Sequence, residues 1–205
     1  MITTITLNPA IDKTLTIEKF ELNKVNRVSQ ISEGLGGKGI NVSKVLNYLG
    51  SENTALGFIG EKNYNQIQRF NLIDPIKTDF ILVNANTRTN TKIIDPYSQT
   101  TTDINEAGFE VDSKQIDQMK SLIRSYSTTS EFMVFSGSVC KGMNTNEYLN
   151  LLKSVPSQQL VIDAEGSMLE VSLHAEPFLI KPNIHELEAL VHTQLSSDEA
   201  IKQAC

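Results

Sequence analysis

The chain is short of every residue type that would cross-link it or anchor it elsewhere. Cysteine occurs only at Cys140 and Cys205, too little for a disulfide scaffold and suited to free thiols in a reducing cytoplasm. Histidine gives no zinc motif: His185 and His192 lie seven apart on one predicted helix. His185-Glu186-Leu187-Glu188-Ala189 ends in alanine where a zinc-protease signature needs a second histidine. Apolar runs fall far short of the roughly 20 residues a membrane helix requires. Positive charge is in deficit, with 18 Lys+Arg against 24 Asp+Glu and a net charge of −6, and no basic cluster offers a nucleic-acid face. The opening Met1-Ile2-Thr3-Thr4-Ile5-Thr6-Leu7 lacks the basic start of a secretory signal. With no repeat, low-complexity tract or long linker, 205 residues at 40% hydrophobic and 20% charged read as one soluble globular domain of the cytoplasm.

What is present centres on Gly34-Leu35-Gly36-Gly37-Lys38-Gly39, four glycines in six residues, with a helical pattern directly behind them. Val42, Val45, Leu46 and Leu49 recur at helical spacing up to Gly50, a natural stop. A glycine-rich loop opening a helix aims unpaired N–H groups and the positive end of the helix dipole at whatever lies in front. Lys38 adds a full charge, so the loop suits a phosphorylated or polyhydroxy small molecule; a plain strand-to-helix turn is the alternative. Formally the stretch matches G-x-G-x-x-G, but the dinucleotide fingerprint follows a buried apolar strand, and Arg27–Ser32 alternates polar with apolar. A Walker A loop needs Ser or Thr after the lysine, and Gly39 follows Lys38.

Around this loop the pattern is that of an α/β protein. Strands are predicted at Thr3–Leu7, Asn53–Gly60, Phe80–Val83, Phe132–Phe135, Leu160–Ile162 and Phe178–Ile180. Helices alternate with them at Tyr64–Ile73, Asp112–Tyr126, Asn146–Ser154, Gly166–Leu173 and Glu186–His192, the second with Asp112 as N-cap and Gln115 three residues on. Continuous apolar strands between amphipathic helices imply a mostly parallel sheet covered on both faces. Four alternating segments, Thr14–Phe20, Asn26–Glu33, Thr87–Ile94 and Thr100–Asn105, read instead as short antiparallel strands of a small separate sheet over the site. Arg27, Arg88 and Lys92 sit on them, as ligand contacts or as solvated edges. Just past the main strands lie Asp12, Ser136-Gly137-Ser138, Asp163, and Asn183 with Glu186. In a parallel sheet these share one edge, where ligands bind. Any one of them alone reads equally well as a turn or helix cap; together they favour holding a sugar phosphate beside a Mg²⁺-nucleotide.

These residues resemble the PfkB (ribokinase-like) carbohydrate kinases, in particular the 1-phosphofructokinase and tagatose-6-phosphate kinase branch. The segments that carry the resemblance are Thr6-Leu7-Asn8-Pro9-Ala10-Ile11-Asp12, Val25-Asn26-Arg27-Val28, Gly36-Gly37-Lys38-Gly39-Ile40-Asn41-Val42, Thr87-Arg88-Thr89-Asn90, Ser136-Gly137-Ser138 and Ile180-Lys181-Pro182-Asn183 with Glu186-Leu187. The resemblance implies a Rossmann-like sheet with a β-sheet lid, here one domain over residues 1–205 with lid strands inserted near 13–33 and 87–106. It implies that Asp12, Gly37, Gly39 and Asn41 hold sugar hydroxyls and that Lys38, Arg88 and Ser138 lie near the substrate's existing phosphate. Arg27 would reach a neighbouring subunit's site from the lid, through which a homodimer can form. Asp163, Asn183 and Glu186 would serve Mg²⁺ and the phosphates of ATP, with Asp163 and Glu186 as metal ligands and Asn183 and Glu186 as nucleotide contacts.

Within the branch, Thr87-Arg88-Thr89-Asn90-Thr91-Lys92 resembles the Thr-Arg-Ile-Asn-Val-Lys of 1-phosphofructokinases, and Asp163-Ala164-Glu165 replaces an Asp-x-Ser-Gly common among relatives. Fructose 1-phosphate is therefore the favoured substrate and tagatose 6-phosphate the second. One family element is absent. The catalytic aspartate belongs to a Gly-Ala-Gly-Asp or Gly-Ser-Gly-Asp motif, and no glycine follows Gly166 here. The expectation is the front part of a longer kinase, or a remnant that binds sugar phosphate without turning it over, with an apolar flank left open near the C-terminal helices.

Overall fold

The structure, a computed structural model, describes residues 1–204. Its main sheet holds six parallel strands: β1 (Ile2–Thr6), β4 (Asn53–Gly60), β5 (Thr78–Val83), β8 (Phe132–Ser136), β9 (Leu160–Asp163) and β10 (Leu179–Ile180), in the order β10-β9-β8-β1-β4-β5. A second sheet of β2 (Ala10–Thr16), β3 (Gln30–Gly36), β6 (Arg88–Asp95) and β7 (Thr100–Asn105) has the order β3-β2-β6-β7. Helices α1 (Lys38–Tyr48), α2 (Tyr64–Ile73), α3 (Ser113–Ser127), α4 (Thr145–Leu152), α5 (Gly166–Ser172), α6 (Ile184–Val191) and α7 (Asp198–Ala204) connect and follow the strands. The mostly parallel helix-flanked sheet with a small sheet beside it agrees with the fold read from the sequence.

Four details differ. The small sheet is not all antiparallel, because β2 and β6 pair in parallel. Each leaves the same edge of the main sheet, β2 after β1 and β6 after β5, so both start out in one direction. β2 begins at Ala10 and ends at Thr16, four residues short of Phe20, where Lys19 turns with φ 57°. β3 starts only at Gln30, leaving Arg27 on the exposed connection before it. In α1 the buried residues are Gly39, Ile40 and Ser43, whereas Val45 and Leu49 of the predicted apolar stripe are exposed, Leu49 by 70%.

The last difference arises because α1 turns Ile40 and Ser43 to the sheet, which leaves Val45 and Leu49 on its far side; the sheet itself is covered unevenly. On one face Ile5, Met133, Phe135, Leu160 and Ile162 pack under Met119 and Ile123 of α3 and Leu151 and Leu152 of α4, each at most 2% exposed. The other face carries α1 and α2. Thr4 marks it, since its Oγ1 shares a 2.7 Å hydrogen bond with Ser43 Oγ of α1. Residues opposite one another in a parallel ladder point the same way, so the register Thr4↔Val134↔Val161↔Leu179 puts Val134, Val161 and Leu179 on the α1 side. There Ile40, Ala55, Ile59 and Ile67 form a smaller core over β1 and β4. Toward β10 none of the described residues closes over the sheet: Phe132, Val134 and Val161 are half-buried, Leu179 is 46% exposed, and Phe178, whose ring centroid lies 5.4 Å from that of Phe132, is 60% exposed. This is the open apolar flank expected from the sequence.

Three helices start with reciprocal capping boxes, Asp112 with Gln115, Asn144 with Glu147, and Asn183 with Glu186. The turn that ends β6 is held by the Asp95 carboxylate, which accepts from the backbone N–H groups of Lys19 and Phe20, both at 2.9 Å, Tyr97 at 3.0 Å and Ser98 at 3.2 Å. Burial by itself raises its pKa, but the hydrogen bonds from Ser98, Lys19 and Phe20 outweigh that and hold it down to about 2.

Two outcomes follow from this burial pattern. In urea unfolding followed by circular dichroism, Met133→Ala costs about 2–5 kcal/mol because it empties a closed face. Its neighbour Val134→Ala, on the open face, costs about 1 kcal/mol or less. For Asp95 the folded pKa lies below the unfolded value of about 3.9. The unfolded chain therefore takes up the extra proton, and the stabilisation is present above about pH 4 and lost as pH falls toward about 2. Thermal melts across that window fall less steeply in Asp95→Asn than in the parent chain.

Candidate functional site

The parallel strands end together, and their C-terminal tips bring the polar residues to one edge. β1 leads into Thr6-Leu7-Asn8, β8 into Gly137-Ser138, β9 ends at Asp163, and β10 leads into Lys181-Pro182-Asn183. The glycine-rich turn closes down on the tip of β1. Gly37, with φ 121°, caps α1 without any side-chain hydrogen bond, so the first-turn N–H groups stay open. A Cβ at Gly37 would lie 2.7 Å from Thr6 Cγ2, and one at Gly39 would lie 2.5 Å from Thr6 Oγ1. Any side chain at either position would lift the loop off the strand. Gly36 in turn leaves room for the Asp12 carboxylate, which occupies the space a Cβ would fill.

A cavity of about 310 Å³ lies over this edge, lined by Asp12, Gly37, Lys38, Asn41, Arg88 and Ser138 among others. Six of the residues singled out from the sequence are thus brought together. A space of about 320 Å³ beside β3 shares Asp12 and Asn41 with it. A third, of about 480 Å³ between α5 and α6, is lined by Asn183 and Glu186 and shares Glu165 with the first. Gly39 lies under the first turn of α1, against Thr6, and its role there is close packing. Arg27 lines none of these three spaces.

The cavity is built of fixed charges. Arg88 donates from Nη1 to Glu106 O at 2.9 Å, from Nη2 to Asn8 O at 3.1 Å and from Nε to Pro9 O at 3.4 Å. Three of its five N–H groups are therefore held by backbone carbonyls, and two remain for a ligand. Burial lowers the Arg88 pKa, while the nearby charges of Asp12 and Glu106 raise it. Asp163 accepts from Ser136 Oγ at 2.8 Å and lies 3.1 Å from Lys181 Nζ and 4.0 Å from Lys38 Nζ. A carboxylate set between two ammonium groups orients them, and its own charge is already matched. Asn183 and Glu186 cap each other: Asn183 Oδ1 accepts from Glu186 N at 3.0 Å, and Glu186 Oε2 accepts from Asn183 N at 2.8 Å. Among the described residues, no group of three or more His, Cys, Asp or Glu side chains converges as a metal cage. The donor set fits only a Mg²⁺ whose remaining ligands are water and phosphate oxygens, the usual arrangement for that ion.

Several lining residues were not assigned a role from the sequence. Asn8, just past β1, donates from Nδ2 to Ala107 O, Ser138 Oγ and Val139 O, each at 3.3 Å, and ties the loop of β8 to that of β7. Asn90 and Asn105 line the cavity from the small sheet, and Glu165 from the start of α5. The signal for Asn90 was at hand, two residues after Arg88 on a strand whose alternate residues face one way.

A parallel α/β sheet with a small sheet beside a polar cavity at its strand tips defines a class of α/β folds, and the comparisons with known proteins agree. Residues 5–205 match the pfkB family carbohydrate kinase model, and the chain belongs to that family. It is 35% identical over 202 residues to a tagatose-6-phosphate kinase of Staphylococcus epidermidis, spanning 97% of this chain and 64% of that protein. It is 36% identical over 203 residues to a 1-phosphofructokinase of Borreliella burgdorferi, spanning 98% and 65%. A solved structure described as a possible 1-phosphofructokinase of Thermotoga maritima superposes with a TM-score of 0.87 at 28% identity, over 99% of this chain and 67% of that one. The chain thus spans a little under two thirds of the length of the curated relatives it matches.

The tight seat of the glycine turn gives a direct test. Gly37→Ala, which forces an alanine into the left-handed region and against Thr6, lowers stability by about 1–3 kcal/mol in chemical unfolding.

Proposed function

We propose that this chain is the acceptor-binding part of an ATP-dependent sugar-phosphate kinase, and that its favoured substrate is fructose 1-phosphate, converted to fructose 1,6-bisphosphate. The observation that carries this reading is the convergence of Lys38, Arg88 and Ser138 with Asp12 and Asn41 on one cavity of about 310 Å³. Lys38, the free N–H groups of Arg88 and the first turn of α1 take the existing phosphate. Asp12 and Asn41 take ring hydroxyls, with the backbone of Gly37 close enough for a further contact. Gly39 contributes through the seat of the loop. The nucleotide approaches along the groove of Asn183 and Glu186, where a Mg²⁺ coordinated by phosphate oxygens and water would find the uncommitted oxygen of Glu186. Asp163 keeps Lys38 and Lys181 in position beside it. When bound, ATP supplies the phosphoryl group and Mg²⁺ offsets its charge.

In the transfer the acceptor hydroxyl loses its proton as it bonds to the γ-phosphorus and the bond to ADP breaks. No residue of this chain matches the family aspartate that takes that proton, and without general base catalysis the rate is lower by about 10²–10⁴-fold. Two alternatives stay close: tagatose 6-phosphate as the acceptor, and a sugar-phosphate-binding protein without turnover. A homodimer through the small sheet is part of the proposal. Leu15, Ile31, Ile93 and Ile104 share one face of that sheet by register, with Ile31 and Ile104 exposed, and Arg27 lies on the adjoining connection. Among the described residues no helix is long and apolar enough to cross a membrane. The proposed setting is cytoplasmic.

Isothermal titration of the 205-residue chain with fructose 1-phosphate, beside a coupled kinase assay with MgATP, tests the reading. Binding is expected, weakened about 10–100-fold in Lys38→Met, as suits the loss of a charge-assisted phosphate contact. Tighter binding of tagatose 6-phosphate reassigns the acceptor, and turnover eliminates the purely binding reading. Failure to bind either sugar phosphate overturns the proposal.

A further inference from the structure

Asn90 is the third residue of β6, and the two ladders set it between Asp12 of β2 and Asn105 of β7. Three polar side chains therefore stand abreast across the small sheet, and all three line the cavity that also holds Lys38, Arg88 and Ser138. Directly opposed residues on one face of a sheet have their Cβ atoms about 4.5–5.5 Å apart, so the three form a continuous ledge.

The Asn90 amide is under-used. Its Nδ2 donates one hydrogen bond, to Asp12 Oδ1 at 3.3 Å, while its Oδ1 is shut off from solvent and has no partner. The orientation follows from chemistry, because a carboxylate oxygen only accepts and the amide nitrogen must face it. Asn63, a structural asparagine nearby, behaves differently. It donates to Thr87 O at 3.1 Å and accepts from Thr87 N at 2.9 Å, so both ends of its amide are paired within the chain. An amide left largely unpaired on the wall of a polar cavity is a recognition group, since a buried polar atom without a partner is costly until a ligand supplies one.

We propose that Asn90 is a specificity-determining residue of the acceptor site, which reads a hydroxyl of the sugar phosphate while it steadies the Asp12 carboxylate toward the same ligand. The proposal rests on the reading of this cavity given above and deepens it. The terminal torsion of an asparagine is broad, so a small turn presents its oxygen or its second N–H to the ligand. A sugar hydroxyl both donates and accepts, and so it matches either end. A ligand that carries the phosphate without ring hydroxyls meets only Lys38 and Arg88 and gains nothing from Asn90.

The test is a titration of the full chain and of Asn90→Ala with fructose 1-phosphate and with methyl phosphate, which keeps a phosphate but carries no hydroxyl on carbon. The substitution is expected to weaken fructose 1-phosphate about tenfold or more and methyl phosphate by less than about threefold, as for a site built to pair a substrate hydroxyl. Asn63→Ala provides the structural comparison: it lowers the melting temperature and leaves the ratio of the two affinities unchanged. If Asn90→Ala does not fold, Asn90→Ser carries the same ratio measurement. An unchanged ratio, or equal weakening of both ligands, overturns the role of Asn90 while the cavity reading survives. Failure of the parent chain to bind either ligand overturns both.

Discussion

The contact on which the site depends is the seating of the glycine-rich turn on Thr6. With no Cβ at Gly37 or Gly39, the loop backbone lies directly on the tip of β1, and α1 starts one residue later at Lys38. That places the positive end of the helix, the Lys38 charge and the strand tips within one small volume. The small sheet leaves from the same point, since β2 begins at Ala10 and carries Asp12 back over the turn, into the space that Gly36 leaves free. A side chain at Gly37 or Gly39 would press on Thr6 and move these parts away from one another.

Around that seat the charges are fixed unequally. Arg88 is held by three backbone carbonyls and Lys38 faces Asp163, so the end of the cavity suited to an anion is preorganised before any ligand arrives. The groove of Asn183 and Glu186 is organised chiefly by the two residues capping each other, and among the described residues no cluster of carboxylates gathers there. The chain is thus more fully organised around the cavity of Lys38 and Arg88 than along the groove of Asn183 and Glu186.

The uneven cover of the main sheet runs parallel to this asymmetry. The face under α3 and α4 is closed, while the α1 face is closed only over β1 and β4 and lies open toward β10. The open strip and the groove of Asn183 and Glu186 both lie on the β10 side of the molecule. The family relatives, of which this chain spans 64–65%, are correspondingly longer.

Much of this was legible in the order of residues. Alternating continuous apolar strands and amphipathic helices specify a parallel sheet, because a strand buried on both faces has no room for polar residues and a helix that covers it needs one apolar stripe. The glycines of residues 34–39, the Asp112 cap and the polar residues at the strand tips were equally plain, since each answers to a local requirement of backbone or capping. Tertiary structure alone decided the rest. Whether β2 and β6 run parallel depends on which edge of the main sheet each one leaves. Whether Val45 and Leu49 are buried depends on which face α1 turns to the sheet, and periodicity alone does not choose it. Asp163 stands between Lys38 and Lys181, two residues far from it in sequence that meet it only once the chain is folded. The position of Asn90 on the cavity face was legible from Arg88, but its pairing was not: whether a buried amide is paired depends on partners far along the chain, and only the folded chain brings those partners together or leaves them out.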